Sequence, residues 1–372
     1  MTLGFQRAGF NLLAGFDHWD IAISCYRKNF DHAIEDVDLS DVECSIKAIS
    51  KYTPDIIIGG PPCQDFSGAG NRVEGDRASL TVSFARIIKA ISPQYFVMEN
   101  VERAASSEAY KKARKIFKDA GYGLTEKVLD ACFCGVPQKR KRFFCIGFKN
   151  GQDSFLDGLL STNQSVFPLT VKEYFKQENL HLPIMNYYRH PRSYDRRGIF
   201  SVEEPSPTIR GVNRPKPEKY KKHDGDTADP EGVRNLSCLE RALIQTFPPN
   251  YIWDNSSAAT EQMIGNAVPV KLANYVASCL MRFIKGDADL HNLRFIDWLK
   301  REKNLSVEVA GDTLSRIGRA RKILEFGTND CESYLKNLSV TPMFEKIVPS
   351  VRAQIRRAVR LYFEYILEHE GV

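Results

Sequence analysis

Three things are scarce in this sequence: long hydrophobic runs, closely spaced cysteines and an excess of charge of one sign. No apolar run approaches the roughly 20 residues that cross a membrane, and the N-terminus lacks the charged-then-apolar pattern of a secretion signal. The sequence therefore predicts a cytosolic or nuclear protein with no membrane partner.

Nine cysteines are scattered along the chain without a Cys-x-x-Cys pair. The only close pair, Cys132 and Cys134, is predicted to occupy alternate positions of one strand. This spacing favours neither a metal site nor a disulfide framework. The net charge of +6 is modest, but it has the sign that a polyanionic partner requires, so it permits nucleic acid without proving it.

A strand followed by a cysteine-containing turn is the most informative stretch that is present. The uncharged, β-branched run at residues 56–58 predicts a buried parallel strand, and the glycines and prolines at 59–62 end it. Cys63 then lies just past the carboxyl end of the strand, at the edge where open α/β sheets bind ligands. An inert core thiol is the alternative. The two prolines, which fix the orientation of the thiol, and the loop at 67–71, which is long enough to close over a substrate, favour a nucleophile.

Four blocks of the sequence match, in order, the motifs of a known family. They are Gly-Pro-Pro-Cys-Gln-Asp-Phe-Ser at 60–67, Met-Glu-Asn-Val at 98–101, Gln-Lys-Arg-Lys-Arg at 138–142 and Gly-Asn-Ala-Val-Pro at 265–269. On these motifs, residues 1–284 resemble the DNA (cytosine-5) methyltransferases. The resemblance implies a doubly wound, Rossmann-like α/β domain that depends on S-adenosylmethionine, with a small recognition domain. An α-helical C-terminal extension follows, outside the resemblance.

The resemblance implies four catalytic residues. Cys63 would add to C6 of cytosine as a thiolate, and Glu99, if protonated, would donate to N3 of the same ring. Arg140 and Arg142 are alternate residues at the start of a predicted strand, so they can face one cleft. There Arg142 would hold the base O2, and Arg140 would support the loop or a phosphate. The βαβ alternation predicts that the strand of Glu99 neighbours the nucleophile strand.

The implied cofactor is S-adenosylmethionine, and no metal is expected. Asp17, at the end of a predicted strand, would accept hydrogen bonds from the ribose hydroxyls. His18 would stack on the adenine, and Asp36 would contact the adenine amino group. The other implied cofactor residues are Val37, Pro61, Leu80, Asn266 and Val268.

Double-stranded DNA is the implied substrate, with the target cytosine flipped out because C5 and C6 lie inside the base stack. Aromatic and basic residues alternate over 187–197, as in a surface that follows phosphates and stacks on bases. A solvated loop is the competing explanation. The predicted DNA-binding residues are Gln64, Ser67, Gly68, Arg189, Arg192, Arg196, Arg197 and Arg210.

The predicted organisation has three parts: a catalytic domain over 1–150, completed by about 251–285; a target-recognition segment over 151–250; and a helical C-terminal domain over 286–372. Two predicted helices, at 236–246 and 262–285, close the catalytic domain. The last part is predicted to contain helices at 293–300, 307–324, 331–338 and 351–367. Basic residues follow one another at helical spacing in these helices, and in this respect the last part weakly resembles the DNA-clamping domains of tyrosine recombinases. A solvated charged face is the alternative.

The beginning of the sequence departs from the family pattern. The family starts with a strand and a Phe-x-Gly-x-Gly loop, whereas residues 1–5 already match the helix that follows that loop. We therefore expect the chain as written to bind S-adenosylmethionine poorly and to be unstable or aggregation-prone alone. About 15 upstream residues, a strand and a turn, should restore binding and stability.

Two alternatives stay open from the sequence. One is an RNA cytosine methyltransferase, because the family includes enzymes that modify transfer RNA and the recognition segment is short. The other is an inert DNA-binding or partner subunit that lacks the glycine loop. The predicted function is methyl transfer to C5 of cytosine in DNA by a monomer on its substrate. The predicted setting is the cytoplasm and nucleoid of a prokaryotic or phage-host cell, with a restriction endonuclease as a candidate partner.

Overall fold

The computed structural model describes residues 1–62, 79–191, 193, 195–253, 256–286, 290–328 and 330–369. The chain divides into two compact units. Unit 1 comprises Met1–Gly151 and Pro168–Ala277, and unit 2 comprises Gln152–Phe167 and Ser278–Val372. The boundary between Ala277 and Ser278 falls inside a helix.

Unit 1 begins with alternating helices and strands. In chain order these are α1 (Thr2–Arg7), β1 (Ala14–Asp17), α2 (Asp20–Arg27), β2 (Ala33–Asp36), α3 (Val42–Ser50), β3 (Ile56–Gly59), α4 (Ser79–Ile91), β4 (Tyr95–Val101), α5 (Glu108–Asp119), β5 (Tyr122–Asp130), β6 (Gln138–Lys139) and β7 (Lys141–Lys149). The predicted α/β alternation is confirmed, and the fold is that of a Rossmann-like methyltransferase.

The strands form two main ladders. β1 and β2 are parallel, and their last residues, Asp17 and Asp36, lie opposite each other. A second sheet has the strand order β3-β4-β7-β5, in which β3 and β4 are parallel and β7 is antiparallel to both β4 and β5. The prediction that the nucleophile strand and the Glu99 strand are neighbours is confirmed.

One hydrophobic core supports the four-stranded sheet. α5 is capped by the Ser107 side chain and buries one face, with Tyr110, Ala113 and Phe117 spaced three and four residues apart. Phe117 stacks on Phe96 of β4, and both are fully buried. β4 is therefore held on its packed face by aromatic contacts, which fixes the position of its carboxyl end.

The remainder of unit 1 is less regular. Its elements are α7 (Val171–Gln177), β8 (Asn186–Tyr188), β9 (Ile199–Ser201), β10 (Ser206–Pro207), α8 (Cys238–Ile244), α9 (Ser257–Asn266) and the first part of α10 (Val270–Ile284). Capping boxes start α7 and α8, with Thr170 paired to Glu173 and Ser237 to Glu240. β10 pairs with β6, which immediately precedes β7, so this segment lies next to the start of β7.

Two local predictions were wrong. Cys132 and Cys134 do not lie on one strand, because residues 131–133 form a 3-10 turn between β5 and β6. The single helix predicted over 262–285 is two helices, α9 and α10, separated at Ala267–Pro269. Pro269 disfavours a helical conformation at the preceding residue, which ends α9.

Unit 2 is helical and has its own core. It contains α6 (Asp157–Thr162), the end of α10, α11 (Leu290–Arg301), α12 (Val307–Ile323), α13 (Cys331–Ser339), α14 (Pro342–Glu345) and α15 (Pro349–His369). Phe295, Tyr334 and Phe344 are among its largest fully buried side chains. The four predicted helices are confirmed. Residues 152–167, which include α6, belong to the same compact unit as the C-terminal helices. The predicted division of the chain into catalytic, recognition and C-terminal parts stays a prediction.

One helical stretch is long and apolar enough to pass a simple test for a membrane span. It covers Ser257–Ile284, and half of the tested window is buried inside the protein. A buried core helix passes the same test, and the stretch is interrupted at the junction of α9 and α10. We assign it to the protein core.

Candidate active site

The carboxylate of Glu99 lies at the carboxyl end of β4, next to the turn that leaves β3. A Cβ atom placed on Gly60 would lie only 3.2 Å from Oε2 of Glu99, so the two chains approach closely at this point. The Asn100 side chain donates to the carbonyl of Pro61 at 3.3 Å and ties β4 to the same turn. Pro61 and Pro62 lead directly into Cys63, which lies outside the described residues.

Glu99 and Arg142 form an ion pair that is largely shielded from solvent. Nε of Arg142 lies 3.0 Å from Oε1 of Glu99, and the two side chains are 13% and 11% exposed. Burial raises the pKa of Glu99 and outweighs the opposing charges of Arg142, Arg140 and the chain's amino group. A carboxyl group in this environment holds its proton to higher pH than an exposed glutamate, so it is suited to donate one.

Arg140 is also buried, but its guanidinium group binds backbone carbonyls. Nη1 donates to Ile209 at 2.9 Å, and Nη2 donates to Gly265 at 2.8 Å and Ala267 at 3.1 Å. Arg140 therefore joins its own sequence motif, the segment at Ile209 and the motif at 265–269 in one place, and its charge also acts on Glu99. The predicted catalytic role of Arg140 stays a prediction. The contacts describe a residue that positions the site.

Two buried glutamines, missed as site residues in the sequence, complete this junction. Gln138 receives a hydrogen bond from the Ile209 amide at 3.0 Å and donates to Gln245 at 2.8 Å. Gln245 in turn donates to the carbonyl of Ile264. Both glutamines are fully buried, and a buried amide is stable only when its polar atoms are paired. Gln138 belongs to the same sequence motif as Arg140 and Arg142, and this position is the feature that could have identified it as a site residue.

Gly265 has no room for a side chain. A Cβ atom there would overlap the backbones of Arg210 and Gly211, so the segment at 209–211 packs directly on the end of α9. The carbonyl of Arg210 accepts a hydrogen bond from Arg241, whose partner is Glu261 on α9. These contacts explain why the segment at 209–211 and the motif at 265–269, separated by about 55 residues of chain, meet in the fold.

Three of the predicted cofactor residues, Asp17, His18 and Asp36, lie together at the ends of β1 and β2. Asp17 accepts hydrogen bonds from the amides of His18 and Trp19, and Nδ1 of His18 lies 2.7 Å from Oδ1 of Asp36. This contact with Asp36 raises the pKa of His18. Both carboxylates are exposed, at adjacent ends of parallel strands. Exposed carboxylates at this edge can accept hydrogen bonds from the ribose hydroxyls and the amino group of an adenosine moiety, and the contacts of Asp17 and Asp36 with a cofactor stay predictions.

The other predicted cofactor residues are distributed over several elements. The Val37 amide donates to the carbonyl of Asp17 at 3.0 Å, which links the two strand ends. Leu80 lies in the first turn of α4, Asn266 is exposed at the end of α9, and Val268 is buried before α10. The contacts of these residues with a cofactor stay predictions.

Most of the described arginines that were predicted to bind DNA also bind the protein itself. Arg189 donates to the carbonyl of Thr208 and Arg210 to that of His190. Arg197 pairs with Glu204 and lies over the Phe200 ring. Arg196 is exposed. The predicted residues that lie outside the described part of the chain are Gln64, Ser67, Gly68 and Arg192.

The comparisons with known proteins agree with this geometry. The family model for C-5 cytosine-specific DNA methylases matches residues 1–282. The type II methyltransferase M.HindV of Haemophilus influenzae is 49% identical over 77% of this chain and 94% of its own length. M.HgiDI of Herpetosiphon aurantiacus, also a type II methyltransferase, is 48% identical over 76% of this chain and 91% of its own length.

Solved structures support the fold. The Dnmt2 methyltransferase of S. pombe matches with a TM-score of 0.57 and 17% identity, over 76% of this chain and 95% of that one. The methyltransferase EhMeth of Entamoeba histolytica matches with a TM-score of 0.53 and 17% identity, over 77% and 94%. At these identities the similarity concerns the fold alone.

The chain belongs to the C-5 cytosine-specific DNA methylase family. It is a DNA (cytosine-5) methyltransferase of restriction-modification type, with DNA as its substrate and S-adenosylmethionine as its methyl donor. The comparisons do not favour the RNA methyltransferase or the inert subunit that the sequence left open.

Proposed function

We propose that this enzyme methylates cytosine through a covalent adduct between Cys63 and a base that is flipped out of the duplex. The observation that carries the proposal is the buried Glu99, held by Arg142 against the turn that leads into Cys63. A proton donor next to a nucleophile-bearing turn matches what cytosine activation requires.

The proposed reaction follows from the electronics of the ring. C5 of cytosine is a poor nucleophile until a thiolate adds to C6, and the charge that develops is neutralised by a proton at N3. Glu99 supplies that proton, and Arg142 holds the Glu99 carboxyl and the base O2. S-adenosylmethionine, when bound, would supply the methyl group to C5 from its sulfonium centre and leave as the neutral thioether. Transfer of the C5 proton to solvent then restores the C5–C6 double bond and expels the Cys63 thiolate, and N3 returns its proton to Glu99.

Base flipping is proposed because a stacked cytosine leaves neither face of its C5–C6 bond open to attack. The burial of Glu99 supports this proposal, because a buried carboxyl group is out of reach of a base that stays stacked in a duplex. A 2-aminopurine placed at the target position should become strongly fluorescent when the protein binds. Unchanged fluorescence, with binding confirmed on the same duplex, would contradict flipping.

The covalent step is tested with DNA that contains 5-fluorocytosine, from which the C5 substituent cannot leave. Wild-type protein and S-adenosylmethionine should form a complex that survives denaturation, and Cys63→Ser should not. Cys44→Ser is the matched control, because Cys44 is an exposed cysteine on α3, and it should trap DNA like the wild type. Trapping by Cys63→Ser would refute the assignment of the nucleophile.

Three further aspects belong to the same proposal. We infer that residues 151–250 recognise the target sequence and that the protein acts as a monomer on DNA. Because its relatives are type II methyltransferases of bacteria, we place it in the cytoplasm, associated with the nucleoid, beside a cognate restriction endonuclease. Bisulfite sequencing of DNA from cells that express the protein would identify the recognition site.

A further inference from the structure

A loop rich in lysine follows the segment at 209–211, inside the proposed recognition segment, and none of the individual residues predicted above to bind DNA lies in it. The loop runs from Asn213 to Asn235. Five of the ten residues at 214–223 are lysine or arginine, and only Glu218 among them is acidic. The acidic residues of the loop are concentrated in its second half, at 224–231.

Hydrogen bonds join the two ends of this loop. The Asn235 side chain donates to the Asn213 side chain at 3.0 Å and to the carbonyl of Arg214 at 2.7 Å, and it accepts from the Lys216 amide at 3.0 Å. Asn213 also donates to Glu261 on α9 at 3.1 Å. The base of the loop is therefore fixed beside the helix that carries the Gly-Asn-Ala-Val-Pro motif.

A second set of hydrogen bonds holds the tip of the loop. The Asp226 carboxylate accepts hydrogen bonds from the amides of Gly198, Ile199 and His223 and from the Tyr220 hydroxyl, at 2.8 to 3.1 Å. Burial opposes the ionised form, but these hydrogen bonds outweigh it and lower the pKa of Asp226. The tip therefore rests against β9 in a defined conformation.

The loop lies beside the basic segment already predicted to face DNA. His223 Nε2 lies 3.0 Å from the carbonyl of Asp195, and a Cβ on Gly225 would lie 3.6 Å from Cβ of Arg197. Lys222 is paired with Asp229. Lys219 and Lys221 are exposed and form no ion pair within the described part of the chain.

We propose that the loop at 213–235 is a second phosphate-binding element of this methyltransferase, in which Lys219 and Lys221 contact the backbone of duplex DNA. The inference rests on the proposed function, because it takes residues 151–250 as the part of the chain that faces DNA. A lysine contact with a phosphate positions the duplex without reading its sequence. A loop that is already ordered loses less conformational entropy on binding than a flexible one.

The test is the salt dependence of DNA binding by the full chain. Each phosphate contact contributes about 0.9 to the slope of log K against log salt. Lys219→Gln/Lys221→Gln should weaken binding at physiological salt and flatten the slope by roughly 2. The change should be the same for a duplex that carries the methylation site and for a scrambled duplex. Lys112→Gln/Lys115→Gln, which removes two exposed lysines from α5, is the matched control and should leave the slope unchanged.

An unchanged slope in the loop variant, an equal change in the control, or an effect confined to the cognate duplex would overturn the proposal. Asp226→Asn provides a second test. It removes a negative charge but also removes acceptors for His223 and Tyr220, so the proposal predicts weaker binding. Tighter binding would show that only net charge matters. These measurements record DNA binding and do not depend on methyl transfer. The phosphate-contact proposal can therefore fail while the 5-fluorocytosine test supports the proposed function, and the proposed function can fail while the phosphate contacts are confirmed.

Discussion

The strongest prediction concerns the proton on Glu99. Glu99→Gln keeps the size of the side chain and a hydrogen-bond donor but removes the proton that N3 of cytosine requires. Loss of one general acid typically lowers the rate about 10² to 10⁴-fold, which corresponds to roughly 3 to 5 kcal/mol of transition-state stabilisation. The loss should occur in the chemical step, with little change in DNA affinity.

The pH dependence follows from the direction of the pKa shift. Because burial raises the pKa of Glu99, the proton is present below this raised pKa, and the rate should fall as the pH rises through it. Glutamine does not ionise, so this alkaline decrease should be absent from the slow reaction of Glu99→Gln. Arg142 lowers the pKa of Glu99, so Arg142→Gln should move the decrease to higher pH.

The Glu99–Arg142 pair also predicts how Arg142→Gln changes the stability of the folded protein with pH. At pH values where Glu99 is protonated, the variant leaves a neutral buried acid, which costs little. At higher pH it leaves an unpaired buried charge, and loss of such a partner costs about 3 to 5 kcal/mol. The destabilisation measured by urea unfolding should therefore increase as the pH rises.

The assay is a single-turnover experiment with radiolabelled S-adenosylmethionine and saturating DNA, quenched over a range of pH. Glu126→Gln is the matched control, because Glu126 forms an arginine pair on β5 of the same sheet, with Arg114. Its rate should match the wild type. A near-normal rate for Glu99→Gln, or an alkaline decrease that persists in it, would refute the reasoning.

Three other predictions concern the framework. Arg140→Lys loses the planar geometry that reaches three carbonyls, and hydrogen bonds to charged groups contribute about 1.5 to 3 kcal/mol each, so urea unfolding should show a clear loss of stability. Gly265→Ala should prevent the packing of 209–211 on α9 and lower the melting temperature by many degrees, whereas Gly327→Ala, with open space around it, should not. Deletion of 286–372 should lower the soluble yield, because α6 would lose the helices that bury it.

The alternation of strands and helices in the sequence predicts that the strand of Glu99 lies next to the nucleophile strand. Parallel strands joined by one helix usually pair, and β3 and β4 do so. Helix spacing likewise predicted the helices of unit 2. These features depend on local pattern and on a general topological rule, which a single sequence contains.

The contacts of the arginines were not predictable in the same way. Strand alternation placed Arg140 and Arg142 on one side, but it did not distinguish the residue that binds Glu99 from the residue that binds carbonyls more than 60 positions away. Nor did composition show that Arg197 is paired with Glu204. Such partners are set by the tertiary fold. The break before Pro269, by contrast, could have been predicted from the proline itself.

The central claim, methyl transfer to C5 of cytosine in DNA, is tested most directly by analysing the nucleosides of DNA treated with the purified protein and S-adenosylmethionine. Mass spectrometry should detect 5-methyl-2′-deoxycytidine with the wild type and with Cys44→Ser, and none with Cys63→Ser. Methylation of adenine or of the cytosine N4 atom, or methylation of transfer RNA with duplex DNA left unmodified, would contradict the account.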